Sequence, residues 1–93
     1  MEELPDFFTV EMPDGSLAGL VEKGASLIFA RDLAPAPGKI VLFHDKTGYL
    51  FIRRYALVSG DHWQAQSTAS GYVTLDSKEH ELQVLATLKW REG

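Results

Sequence analysis

Ser16, in the stretch "PDGSLAG", is the residue best placed in this chain for covalent chemistry. A serine hydroxyl attacks a carbonyl only when a neighbouring base takes its proton. Histidine is one such base, and the chain has three: His44, His62 and His80. No spacing links any of them to Ser16, and the glycine that a nucleophile elbow needs two residues after its serine is replaced by Ala18. Lysine is the other base, usable only where burial lowers its pKa by several units. Such a lysine belongs inside an apolar strand. Lys23, Lys39, Lys46 and Lys78 stand in or beside turn signals, and Lys89 lies on the polar side of the last apolar segment. The basic residues that do occupy an apolar strand centre are Arg53 and Arg54, in "LFIRRYAL".

Other chemistries find less support. The histidines show no H-x-H or H-x₃-H spacing, so no metal site is expected. Nothing has the form of a phosphate-binding loop, and no cofactor is implied. Asp76, Glu79 and Glu81 in "DSKEHE" read as a solvated loop rather than a catalytic pair, and Glu2 and Glu3 are terminal. There is no cysteine, which excludes disulfides and thiolate metal sites and suits a reducing cytoplasm. The net charge is −4 and the nine basic residues are scattered, so this chain is not expected to touch nucleic acid itself. No apolar run approaches the ~20 residues that span a bilayer, and "MEELPDFF" lacks the basic and apolar regions of a secretory signal.

What must position Ser16 and the arginines is a small β-domain. The 93 residues are enough for one domain with one modest core. Turn signals recur at short intervals, in "PDG", "EKG", "APAPG", "DKTG", "SGD" and "ASG", with apolar runs between them. That rhythm predicts an all-β fold with little helix. Strands are expected at 7–12, 27–30, 40–44, 49–55, 62–66, 72–75 and 82–90, with a hairpin over about 40–55. A single helical turn fits 15–23. In the last segment, strict alternation places Leu82, Val84, Ala86, Leu88 and Trp90 on one face.

The order of these pieces resembles the C-terminal domain of LexA and of many phage repressors, whose scaffold also occurs in type I signal peptidases. The resemblance runs from about Phe8 to Trp90. Ser16-Leu17 stands where that family has its nucleophilic serine and a methionine. Gly24 matches a glycine, with Ala25 where aspartate is usual. "PAPG" at 35–38 matches a turn, "STASGY" at 67–72 an Asn-Pro-x-Tyr stretch, and "LQVLATLKW" the final strand. "FIRRY" matches the strand that carries the catalytic lysine, and Arg53 occupies the lysine's place. A guanidinium stays protonated in proteins, and populating the free base of a group whose pKa exceeds ~12 costs roughly 7 kcal/mol at pH 7.

The resemblance therefore implies the C-terminal oligomerisation and regulatory domain of a phage or prophage repressor, without self-cleavage. Residues 1–93 are expected to form that single domain, as a cytoplasmic homo-oligomer, a dimer or higher. DNA would be reached only through an N-terminal domain absent from this sequence, and no membrane contact is implied. The alternative is a Ser16-dependent self-cleaving peptidase that recruits another base, such as Lys39, Lys46 or a group near Arg54. A ligand-binding β-domain unrelated to repressors is the third possibility. Two roles remain open for Arg53: a packed edge residue stacked on aromatics, or an ion-pair partner of Asp14 or Glu11 that closes the old site. Ser16 has an equally plain reading as a turn residue.

Overall fold

Turn punctuation and apolar runs give one antiparallel sheet in the computed structural model, which describes residues 6–92, the last three by backbone alone. Its strands are β1 (Phe7–Glu11), β2 (Ser26–Ala30), β3 (Ile40–His44), β4 (Leu50–Ser59), β5 (His62–Gln66), β6 (Leu75–Asp76) and β7 (Gln83–Glu92). They lie in the order β1-β2-β7-β3-β4-β5-β6. The described residues contain no helix, and hence none long and apolar enough to cross a membrane. In the 15–23 stretch there is a single helical turn, closed by the Val21 N–H donating to Leu17 O at 2.8 Å.

The hairpin expected over 40–55 is β3–β4, with Leu42 opposite Ile52. Its turn is held by Asp45, whose Oδ1 accepts from the Thr47 hydroxyl and from the Thr47 and Tyr49 amides. Gly48 closes that turn at φ 87°, a conformation that a side chain disfavours. Gly24, at φ 90°, does the same where the chain returns from the Ser16 segment into β2.

Period-two alternation along β3 sends its side chains into two separate cores. Ile40 and Leu42 join Met12, Leu17, Val21, Leu27, Phe29, Ile52 and Ala86 on one face. Val41 and Phe43 join Tyr55, Trp63, Ala65 and Leu75 on the other. The four apolar residues of β3 are all buried, as expected of a strand covered on both sides.

Two expectations need correction. Residues 72–74 are not a strand: only Leu75–Asp76 pairs, with Gln64 and Ala65 of β5. β5 ends at Gln66, so in this register residues 72 and 73 have no strand residue opposite them. The strict alternation of the last segment also fails. β7 shifts register against β3 between Leu42 and Phe43, and against β2 between Ile28 and Phe29. Each bulge inserts one extra residue and reverses the facing of the residues beyond it. Val84 accordingly packs with the Trp63 core, while Leu85, Ala86 and Leu88 pack with the other. The side chain of Trp90 lies outside the described ones.

Candidate functional site

The site forms where β5 stops. Gln66, its last residue, pairs with Arg54, so β5 leaves the 50–53 part of β4 uncovered on that side. The segment after β1 fills the space. Asp14 Oδ1 accepts from the Ser16 amide at 3.1 Å, folding the chain back on itself. The helical turn from Leu17 to Val21 then buries both of those residues in the Met12 core. Ser16, between the two devices, is fully buried. Its carbonyl accepts from the Thr68 and Ala69 amides at 2.9 and 3.3 Å, and Thr68 Oγ1 donates to Ala18 O at 2.7 Å, tying the 67–72 segment over it.

Into this space β4 delivers Arg53. The alternation that buries Ile52 on one face puts the Arg53 side chain on the other, opposite Val41. The guanidinium lies over the rings of Phe51 and Tyr72, its carbon 5.3 Å from each ring centroid. From there Nη1 donates to Ser16 Oγ at 2.8 Å, to Ile52 O at 2.9 Å and to Asp14 Oδ2 at 3.4 Å. Its Nε is buried with no partner. The Arg53 side chain is 7% exposed and that of Asp14 31%.

The two roles open for Arg53 are thus combined, because it is stacked on aromatics and paired with a carboxylate. The carboxylate is Asp14; Glu11 lies on β1 and is exposed. Burial works against the charge of Asp14. It is outweighed by the Ser16 hydroxyl and amide and by the Arg53 guanidinium, which together hold the carboxyl below its ordinary 3.8. Ser16 is not a turn cap, since the capping oxygen belongs to Asp14 and the serine hydroxyl points at β4.

The polarity of the hydrogen bonds decides what the pair can do. Ser16 Oγ accepts from Arg53 and donates, at 3.4 Å, to the backbone carbonyl of Ile52. A nucleophilic serine needs the reverse, a base that accepts its proton. A guanidinium has five donors and no acceptor, and a peptide carbonyl does not take up a proton at any working pH. The Asp14 carboxyl, which also feels the hydroxyl, is held below 3.8 and is too weak a base to serve. Lys39 and Lys46, the candidate substitute bases, are exposed, and Arg54 is directed to the opposite face of β4.

A second polar cluster departs from the sequence-based expectation. The sequence places Asp76 in a solvated loop, yet His62 Nε2 donates to its Oδ1 at 2.5 Å, and the Lys78 and Glu79 amides donate to its Oδ2 at 3.1 Å each. These contacts, that of His62 first, hold the Asp76 carboxyl down at about 2. His80 joins by accepting the Asp76 amide proton at Nδ1. The signal that could have found the cluster is the alternation of β5, which sends His62 to the same face as Gln64, over β6. Among the described residues, no group of three or more histidine, cysteine or acidic side chains converges as a metal site. No protein-family model matches this chain, and no curated protein matches it.

Proposed function

We propose that this chain is the oligomerisation and regulatory domain of a phage or prophage transcriptional repressor of the LexA type, with a peptidase centre closed by Arg53. One observation carries the reading: Arg53 Nη1 lies 2.8 Å from Ser16 Oγ, across 37 residues of sequence. The resemblance requires the nucleophile and its base to meet at these two positions. An unrelated β-domain has no reason to bury a serine against a charged side chain from the centre of a distant strand. Desolvating a guanidinium is costly unless it is paired. Here Asp14, Ser16, Ile52 O and two aromatic rings compensate it. The scaffold thereby keeps the geometry of a Ser–Lys dyad and loses the proton transfer. What remains for it is to hold repressor subunits together so that two DNA-reading halves meet symmetric half-sites.

The test is a chain carrying an N-terminal extension with a cleavable Ala-Gly bond, incubated at mildly alkaline pH and followed by mass spectrometry. The extension is expected to stay attached. A shortened product that disappears in Ser16→Ala would overturn the reading in favour of the self-cleaving peptidase.

A further inference from the structure

The two edges of the sheet are built differently. The β6 edge is two residues long and runs directly into the Asp76–His62 cluster, so it offers little to pair with. The β1 edge is a full strand of five residues, "FFTVE". Proline, charged side chains (lysine above all) and bulges discourage an edge from pairing, and Phe7–Glu11 has only one of these, the Glu11 carboxylate at its end.

The phase of the β1–β2 ladder shows which backbone groups face outward. Arg31 N–H donates to Asp6 O and Met12 N–H to Ala25 O. Hydrogen-bonded pairs alternate along an antiparallel ladder, so Phe8 and Val10 exchange bonds with Phe29 and Leu27. The amides and carbonyls of Phe7, Thr9 and Glu11 therefore point away from the sheet. Side-chain facing obeys the same alternation. Phe8 and Val10 pack against the Met12 core. Phe7 and Thr9 line an open groove of about 330 Å³ with Phe8, Ile28 and Lys89, where Lys89 Nζ sits 5.0 Å from the centroid of the Phe7 ring.

We infer that a second copy of this chain docks on β1, edge to edge and antiparallel, about a two-fold axis through Thr9. That register pairs Thr9 with Thr9, and Phe7 with Glu11 of the other copy. All six outward amides and carbonyls of residues 7, 9 and 11 find partners; a shift by two residues in either direction leaves two of the six without one. The pairing is also right on both faces. Phe8 of one copy meets Val10 of the other on the core side, so the two Met12 cores become continuous. On the groove side Glu11 arrives beside the Phe7 ring on which Lys89 rests, bringing a carboxylate to an ammonium at each end. An isologous contact needs this kind of self-complementary patch, and the added strand contributes backbone hydrogen bonds as in other strand-addition complexes. The inference rests on the oligomerisation reading and names the surface that serves it.

Sedimentation velocity on the full chain, from low to high micromolar concentration, tests it with Thr9→Pro and Glu11→Lys. Thr9 N–H points outward, so the proline removes no bond to β2. It is expected to weaken the dimer by about 10- to 100-fold through loss of the central pair, with an unchanged circular dichroism spectrum. Glu11→Lys leaves the backbone alone. It is expected to weaken the dimer several-fold at low salt, and Glu11→Lys/Lys89→Glu to restore it. A dimer that both single variants leave intact overturns the β1 interface while the repressor reading stands. A wild-type chain that stays monomeric at every concentration overturns the interface and the oligomerisation with it. Ser16-dependent cleavage of the extended chain overturns the closed peptidase centre alone and leaves the interface standing.

Discussion

If Arg53 is a clasp on Ser16, the two side chains must be energetically coupled, and a double-mutant cycle with Ser16→Ala and Arg53→Met measures the coupling. A hydrogen bond to a charged group contributes about 1.5–3 kcal/mol net. The bond here is 2.8 Å long between a fully buried hydroxyl and a side chain 7% exposed, so solvent screening removes little of it. The lower end applies, because in Ser16→Ala the same Nη1 keeps Ile52 O at 2.9 Å and is not left bare. The Asp14 contact adds little, since that carboxylate is 31% exposed and 3.4 Å away. The expected coupling is about 1.5 kcal/mol. Unfolding entropy of about 2.1 cal/mol/K per residue over 93 residues converts this to a Tm decrease of about 8 °C for Ser16→Ala. The Arg53→Met value alone mixes lost bonds with relief of guanidinium desolvation. The cycle cancels that part. Urea melts of the four proteins supply the numbers. Additivity within about 0.5 kcal/mol, the level found for independent sites, refutes the clasp and leaves two neighbours that merely touch.

Two further outcomes are expected from the same contacts. Arg53→Lys, in a chain with a cleavable extension, replaces a group of pKa above ~12 by one near 10.4, so the free base is at least ~40-fold more populated at a given pH. Ser16-dependent cleavage is expected to appear and to quicken as pH rises; adding Asp14→Asn removes the carboxylate that favours the ammonium and shifts the profile to lower pH, and a mass spectrum without product at any pH counts against the dyad geometry. Asp76 has its folded pKa depressed from 3.8 to about 2, so its contribution to stability is complete above the unfolded value and is lost as pH falls from about 4 through 2. Asp14, depressed for its own reasons, acts in the same direction. Asp76→Asn is therefore expected to melt lower at neutral pH and to lose less on acidification, and parallel Tm–pH curves for the two proteins contradict this.

The fold is legible where local signals are strong. "DKTG" between two apolar runs marks the β3–β4 hairpin because Asp45 and Gly48 each meet a specific backbone need. At 72–75 propensity alone extends a strand too far, since no partner there is long enough to pair with it. The alternation of β7 misleads because bulges depend on strands more than 40 residues away in sequence, such as β3. The site is legible through Ser16 and Arg53, whose meeting the resemblance implies, and Asp14 is one of the two carboxylates that the sequence offers as a partner. Tyr72, as the second ring against the guanidinium, cannot be read in advance, because it comes from a segment folding back over the sheet, which no periodicity reports. The His62–Asp76 pair needs the β5–β6 pairing as well as the alternation of β5.

β3 supplies both cores from alternate residues, with Ile40 and Leu42 on one side and Val41 and Phe43 on the other, and its partner β4 does the same with Ile52 and Tyr55. Neither half of the protein can loosen while its neighbour stays intact. The Met12 core and the Trp63 cluster are held by opposite faces of the same five residues, with Arg53 on the Trp63 side opposite Val41, so the two are expected to fail together, in one cooperative step. In the proposed repressor, subunits joined by such a module would separate as whole bodies rather than fray.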